Sequence, residues 1–190
     1  MKKTAILCRT NAPLVKCAFA LIRKGRGIKV KIVGKDVGIA LKETIGEIAG
    51  FRQNPNVRQF NEMLDRWIQG IFDRFGANES KEAYVSECSD IYGCLQAIAM
   101  QCNNVNEIYS TIDSYFVESD SLEDDPSVII FASGHRSKGL EWDRVIWLRI
   151  DLCPHNSAKN AADLKQEDHL MYILATRAKE EMWICGDKDP

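Results

Sequence analysis

The sequence predicts an α/β domain that carries an all-helical insert, and three observations lead to this prediction. The first fifty residues alternate short apolar runs with stretches of helical periodicity, a pattern typical of a sheet covered by helices. Residues 51–125 show helical periodicity without a strand pattern, and β-branched apolar runs then return in the last third of the chain. We therefore expect one α/β domain built from residues 1–50 and 126–190, with 51–125 inserted into it.

The N-terminal block predicts a strand, a helix, a second strand and a second helix, in that order. Residues 4–8 are a short apolar run of the kind that is buried in a parallel sheet. A helix should follow at once, because Asn11 is a suitable N-cap and Pro13 suits a first helical turn. Residues 29–33 alternate lysine with apolar side chains, which indicates a strand nearer the edge of the sheet, and 37–48 have a second helical pattern.

The insert is expected to hold three amphipathic helices followed by an acidic loop. Apolar residues recur at steps of three and four within 57–75, 84–102 and 105–116. The acidic segment 118–125 ends at Pro126, and its charges favour a loop in contact with water.

The C-terminal block returns to the α/β pattern. Two β-branched apolar runs, 127–132 and 145–148, indicate buried strands. Residues 151–166 are polar and irregular, 167–177 have a helical pattern, and 182–185 predict a closing strand.

Composition excludes several classes of protein. With 190 residues, 45% of them hydrophobic and 27% charged, the chain has room for one globular domain with a small insert. A net charge of −2 indicates no basic surface, so any nucleic-acid partner must be held by local contacts. The seven cysteines include no C-x-x-C pair, which argues against a disulfide framework and a zinc knuckle. The same cysteine spacing leads us to expect no metal site. Since no apolar stretch has the length of a signal peptide or a membrane span, we also expect a cytoplasmic protein with no membrane partner.

Segment 133–142 contains hydroxyls, an imidazole, cations, glycines and a carboxylate within ten residues. It directly follows a predicted buried strand, and α/β sheets bind their ligands at the carboxyl ends of strands. The alternative interpretation is an ordinary polar loop that leaves the strand.

Two further segments also have two interpretations each. In 167–179, Arg177 at the helix end either stabilises the helix C-terminus or projects into a cleft to bind phosphate. In 7–13, the backbone amides of residues 10–12 could hold a phosphate at a helix N-terminus together with Arg9 and the Asn11 side chain. The alternative for this last segment is plain capping by Asn11.

In their order along the chain (7–13, 133–142, 167–179), the three segments resemble the second motor domain of superfamily 1 DNA helicases of the UvrD/Rep kind. That domain has a strand ending in Arg-Thr/Ser-Asn-Ala, which is matched at 9–12. Its motif V, T-x-H-x-x-K-G-L-E-[FW], is matched by Ser133, His135, Lys138, Gly139, Leu140, Glu141 and Trp142. Its motif VI, E-E-x-R-L-x-Y-V-A-x-T-R-A, is matched by Glu167, Leu170, Tyr172, Thr176, Arg177 and Ala178. The resemblance implies a RecA-like parallel sheet flanked by helices, with 51–125 as a reduced form of the family's accessory domain.

The resemblance also implies a role for individual residues. Arg177 is the expected catalytic residue, an arginine finger that reaches the γ-phosphate of ATP across the cleft between two motor domains. Glu141 is expected to bind the ribose of ATP, with Lys138 and Gly139 beside the phosphates. The residues expected to face single-stranded DNA are Arg9, Thr10, Asn11, Ser133 and His135.

Some positions depart from the family pattern. Ser133 replaces the usual threonine and keeps its hydroxyl, whereas Gly134 and Arg136 stand where apolar and small residues are common. In motif VI, His169 replaces an arginine and Leu174 an alanine. These changes concern the DNA-facing positions more than the nucleotide-facing ones.

The function implied by the resemblance is that of the C-terminal half of an ATP-dependent DNA helicase or translocase with 3′→5′ polarity. The sequence contains no G-x-x-x-x-G-K-[ST] phosphate loop. We therefore expect a fragment of a longer polypeptide, inactive alone, whose N-terminal motor domain binds ATP and supplies the Mg²⁺ ligands. The alternatives are a non-catalytic half-helicase that binds DNA or a protein, and an unrelated phosphate-binding α/β domain.

Overall fold

The computed structural model contains a six-stranded parallel sheet and describes residues 2–24, 28–50, 53–119 and 125–186. In chain order the strands are β1 (Thr4–Cys8), β2 (Lys29–Val33), β3 (Phe116–Val117), β4 (Val128–Ser133), β5 (Trp142–Trp147) and β6 (Ala178–Ile184). Their order across the sheet is β3-β2-β4-β1-β5-β6, and each neighbouring pair is parallel. The predicted α/β class with a parallel sheet is confirmed.

Six α-helices connect or flank these strands within the described residues. They are α1 (Asn11–Lys24), α2 (Lys35–Ala49), α3 (Val57–Phe75), α4 (Glu82–Ala99), α5 (Val105–Tyr115) and α6 (Ala161–Ala175). Asparagine side chains cap α3, α5 and α6, since Asn56, Asn104 and Asn160 each accept a backbone N–H from the first turn.

The predicted element boundaries differ from the structure at several elements. Strand β6 begins at Ala178, four residues before the predicted start at 182. Helix α6 begins at Ala161, six residues before the predicted start, because Asn160 caps it within the polar stretch. Helix α5 ends at Tyr115, so Phe116 enters the two-residue strand β3, which pairs with β2 and lies inside the predicted insert. Strand β5 begins at Trp142, three residues earlier than predicted. The glycines at positions 25 and 27 were expected to end the first helix, and they lie outside the described residues, as does most of the predicted acidic loop, 120–124.

The two faces of the sheet are covered by different numbers of helices. Alternating side chains of β1 explain this division, because Ile6 and Cys8 face one core and Ala5 and Leu7 the other. In the described residues, α1 to α5 all contribute to the first core, whereas α6 contributes Leu174 to the second.

The helices of the predicted insert pack directly on the α/β part. Their fully buried side chains join one core with those of α1, α2 and the sheet; the largest of them are Phe60, Leu64, Leu95, Ile98, Ile108 and Ile112. Helix α4 comes especially close to α1, because a Cβ atom on Gly93 would lie 2.9 Å from the Ala12 Cβ. The division of the chain into a domain and an insert stays a prediction. None of the described helices is both long and apolar enough to cross a membrane.

Candidate functional site

All five predicted DNA-facing residues, Arg9 among them, line one cavity at the carboxyl edge of the sheet. Strands β1 and β4 are neighbours whose last residues, Cys8 and Ser133, are in register, so the loops that follow them meet. These loops enclose a cavity of about 230 Å³. Its lining includes Thr10, Asn11, Ser133, His135, His155 and Ser157.

The N-terminus of α1 is capped by a carboxylate from α4. The backbone N–H groups of Asn11 and Ala12 donate to Asp90, at 3.0 and 2.7 Å from its two oxygens. Asn11 is the first residue of the helix, so its predicted role as N-cap is taken by Asp90. The position predicted for a phosphate at this helix end therefore holds a protein carboxylate.

Arg9 forms a bidentate ion pair with Glu167 at the start of motif VI. Its Nε lies 2.9 and 3.1 Å from the two carboxylate oxygens, and its Nη2 lies 2.7 Å from Oε1. Glu167, only 6% exposed, also accepts the backbone N–H of His155 at 3.0 Å. Burial raises the pKa of Glu167, but these hydrogen bonds lower it by more, so its pKa lies below the ordinary 4.5. Arg9 thus joins the end of β1 to α6.

Two histidines line the same cavity. His155 lies 3.3 Å from the Ser86 hydroxyl through Nε2 and 2.7 Å from the Ser157 hydroxyl through Nδ1. Partial burial lowers the pKa of both His135 and His155, and the positive charge of Arg9 lowers each further. Both rings therefore stay neutral to a lower pH than an ordinary histidine, whose pKa is 6.5. A neutral imidazole has one donor and one acceptor nitrogen.

The motif V segment is a tight turn that requires two of its glycines. A Cβ atom on Gly134 would lie 2.9 Å from the Leu170 side chain, so this departure from the family pattern lets the loop pack on α6. Gly139 has a φ of +83°, which favours glycine. The fully buried Ser137 holds the turn, since its hydroxyl donates to the Gly134 carbonyl at 2.9 Å.

Arg177 follows the end of α6 and is bound entirely to uncharged oxygens. Its Nε donates to the Ile173 carbonyl at 2.8 Å, and its Nη2 donates to the Thr176 hydroxyl at 2.9 Å. Its Nη1 donates to the Leu140 carbonyl of motif V at 3.1 Å. In the part of the chain that the structure describes, no carboxylate lies within ion-pair distance of this guanidinium.

Glu141 lies between two residues that contact Arg177. The backbone N–H of Trp142 donates to the Arg177 carbonyl at 3.0 Å, and the Leu140 carbonyl accepts from its side chain. Glu141 itself is exposed, as are Lys138 and Gly139. The predicted nucleotide-facing residues are therefore neighbours on one turn.

Comparison with known proteins shows the family. A family model described as the UvrD-like helicase C-terminal domain matches residues 57–188, well over half of the chain, including both the motif V and the motif VI segments. The chain belongs to this family. It is also similar to the F-box DNA helicase protein 1 of Schizosaccharomyces pombe (strain 972 / ATCC 24843), with 30% identity over 93 residues. That match covers 40% of this chain and 11% of the relative, so the chain matches about a tenth of the relative's length.

The UvrD-like domain thus has two groups of candidate residues, one at each end of α6. Glu167 in the first half of the helix holds Arg9 near the cavity, and Arg177 comes ten residues later. Helix α6 continues for eight residues beyond Glu167, which is on the order of 12 Å, so the two groups are separate sites joined by one helix. Among the residues that the structure describes, no cluster of three His, Cys, Asp or Glu side chains could hold a metal ion.

Three residues of these groups escaped the sequence analysis. Asp90 lies on an amphipathic helix 79 residues from Asn11, and nothing in its local pattern marks it as a cap. His155 and Ser157 lie in the polar stretch before α6, where a Cys-Pro-His sequence is the only local signal. A search for polar residues after the predicted strand 145–148 could have found them, because they follow another strand of the same sheet.

Proposed function

We propose that this chain is the second motor domain of an ATP-dependent DNA helicase or translocase, and that Arg177 is its arginine finger. The observation that carries this proposal is the binding of Arg177 to uncharged oxygens. Its positive charge is fixed in place by hydrogen bonds without being neutralised by a carboxylate. A fixed, uncompensated guanidinium is suited to the negative charge that develops on a transferred phosphoryl group.

The turn beside Arg177 supports the binding of a nucleotide next to the C-terminal end of α6. Glu141 offers a carboxylate that can accept hydrogen bonds from ribose hydroxyls, and its neighbours on both sides bind Arg177. Lys138 and Gly139 lie on the same exposed turn, where a cation and an unobstructed backbone can approach phosphates. The Mg²⁺ that accompanies ATP would be bound by the preceding motor domain, where it would neutralise phosphate charge.

The cavity at the other end of α6 supports contact with single-stranded DNA. Thr10, Asn11, Ser133 and His135 present hydroxyl, amide and imidazole groups, which suit hydrogen bonds to a DNA backbone. Arg9 lines the same cavity, where its ion pair with Glu167 holds its side chain in place. In the whole enzyme, ATP binding would close the cleft between the motor domains and hydrolysis would reopen it, moving the strand with 3′→5′ polarity.

The test uses a protein that contains both motor domains and measures DNA-stimulated ATP hydrolysis. Arg177→Ala should lower turnover on the order of 10³–10⁵-fold, with little change in nucleotide affinity. Arg177→Lys should fail almost as badly, because a point charge cannot bind two oxygens in the fork geometry.

A matched control is Arg58→Lys, on the exposed side of α3, which should leave turnover unchanged. Near-normal turnover with lysine at position 177 would instead assign that arginine to simple stabilisation of the helix end.

A non-catalytic half-helicase is the second candidate, and the cavity favours it, because its polar groups can bind DNA whether or not ATP is hydrolysed. In that case the chain binds DNA or a protein without hydrolysing ATP, and Arg177 variants leave this binding unchanged. Retention of both Glu141 and Arg177 favours the first candidate, since a binding module needs neither.

A further inference from the structure

We infer that Thr176 is a positioning residue for Arg177, and that its hydroxyl holds the guanidinium so that two terminal N–H groups can bind an anion. The identity of the anion that Arg177 would bind, a phosphoryl group of ATP, rests on the proposed function. The positioning itself is a property of this chain and can be measured on it.

The Thr176 hydroxyl is fixed by the last turn of α6. Its Oγ1 lies 2.9 Å from the Tyr172 carbonyl and 3.0 Å from the Ile173 carbonyl, and it can donate its one proton to either. A hydroxyl that donates to carbonyls on one side keeps its lone pairs for the other side. Those lone pairs accept the hydrogen bond from Nη2 of Arg177.

Thr176 and Ile173 together match one edge of the guanidinium. Their two acceptor oxygens are 3.0 Å apart, and they receive Nη2 and Nε respectively, the two parallel N–H groups of that edge. A guanidinium has five N–H groups, of which Thr176, Ile173 and Leu140 take three. One N–H remains on each terminal nitrogen, and this pair can bind two oxygens of one phosphoryl group.

Thr176 is the only side chain among these three acceptors. The Ile173 and Leu140 carbonyls belong to the backbone, so no side-chain substitution removes them. Loss of the Thr176 hydroxyl would leave Nη2 without its acceptor and allow the planar group to turn about its remaining bonds. Thr176 therefore determines where the terminal N–H pair is directed.

The first experiment uses the chain itself with nitrogen-15 labelled arginine and compares Thr176→Val with Thr176→Ser. Valine has nearly the shape of threonine without the hydroxyl, whereas serine keeps the hydroxyl. We expect the hydrogen-bonded Nη2–H of Arg177 to exchange with water at similar rates in the wild type and in Thr176→Ser. In Thr176→Val it should exchange roughly tenfold faster, because only valine removes its acceptor.

An unchanged exchange rate in a folded Thr176→Val variant would overturn the inference. If valine lowers the melting temperature so far that the variant is unfolded, Thr176→Ala replaces it, with the same expected increase and the same overturning result.

The second experiment uses the protein with both motor domains and separates kcat from KM for ATP. Thr176→Val should lower kcat about 10- to 100-fold with KM little changed, because a small displacement of a catalytic group has an effect of this size. Thr176→Ser should restore turnover, and Thr176→Val should have no added effect in the Arg177→Ala background.

The outcomes distinguish the two proposals. If Arg177→Ala abolishes turnover while Thr176→Val leaves kcat unchanged, the positioning role is wrong and the proposed function stands. If Arg177→Ala leaves turnover intact, the proposed function is wrong, and the exchange measurement alone decides whether Thr176 orients Arg177.

Discussion

Arg9 and Arg177 lie beside the two ends of α6 and differ in what they bind. Arg9 is paired with a buried carboxylate through three hydrogen bonds, and the side chains of this pair are only 18% and 8% exposed. Arg177 is held with the same number of hydrogen bonds, but all of its acceptors are uncharged. The first arrangement neutralises the guanidinium charge, and the second preserves it for an external anion.

The difference teaches which arginine of a helicase motif supports the fold and which can act on a ligand. Two buried charges must remain paired, because removal of one leaves the other desolvated and uncompensated. Removal of an arginine that is bound to uncharged acceptors leaves no unpaired charge behind, so it should affect folding less. Sequence alone places both arginines in functional motifs and cannot tell them apart.

The largest effect on stability is expected from breaking the ion pair between Arg9 and Glu167. Glu167→Ala should lower the free energy of unfolding by about 3–5 kcal/mol, because Arg9 would be left partly buried without its carboxylate. Urea unfolding followed by tryptophan fluorescence measures this change. As a control, Glu141→Ala removes an exposed carboxylate and should change stability by less than about 0.5 kcal/mol. Equal effects of the two substitutions would contradict the structural role of Glu167.

A smaller effect should follow from removing the cap of α1. Asp90→Ala should cost about 1–2 kcal/mol of unfolding free energy, because two backbone N–H groups lose their acceptor at a helix N-terminus. Asp90→Asn keeps one acceptor oxygen and should lose less than alanine does. The same urea titration distinguishes them, and an asparagine variant as unstable as alanine would show that the negative charge matters more than the hydrogen bonds.

Acid should destabilise the Arg9 end of α6 through two sets of groups. The pKa values of His135 and His155 are lower in the folded chain than in the unfolded chain. As the pH drops below 6.5, the unfolded chain therefore binds more protons than the folded chain, and stability falls. The lowered pKa of Glu167 contributes stability that is present above 4.5 and is lost as the pH falls through its folded value. Glu167→Gln should therefore flatten the pH dependence of unfolding below 4.5. An unchanged slope in that variant would contradict this assignment.

The smallest expected effect concerns DNA. Binding of a labelled oligothymidine to the chain alone should be weak, because the net charge is −2 and Arg9 is already paired. The double substitution Asn11→Ala, His135→Ala should weaken it about fivefold to tenfold, the effect of one or two hydrogen bonds. Fluorescence anisotropy measures the affinity, and Arg58→Ala on α3 is the matched control. Binding that is insensitive to the double substitution would move the DNA track away from this cavity.

The sequence predicted what depends on local pattern. Periodicity placed the six described helices, and the resemblance implied that the segments after β1 and β4 both face single-stranded DNA. Motif residues that are close in sequence, such as Lys138 and Glu141, are also close in the structure.

Contacts between distant residues could not be predicted from the sequence. Asp90 reaches the start of α1 across 79 residues, and Glu167 reaches Arg9 across 158. Such pairings depend on how α4 and α6 pack, which periodicity does not specify. For the same reason, the ion pair of Arg9 with Glu167 was not predicted, although Arg9 lines the cavity proposed for DNA. The need for glycine at position 134 was equally hidden, since it arises from the approach of Leu170.

The position of β1 at the centre of the sheet has a consequence for synthesis on the ribosome. Thr4 pairs with Ile129 of β4 on one side and with Arg144 of β5 on the other. At about 5–20 residues per second, these partners emerge on the order of 10 s after β1. During that interval the nascent chain exposes an apolar strand on both of its edges and faces. We expect this segment to need protection from aggregation during that interval, and domain completion to wait until β5 has left the exit tunnel.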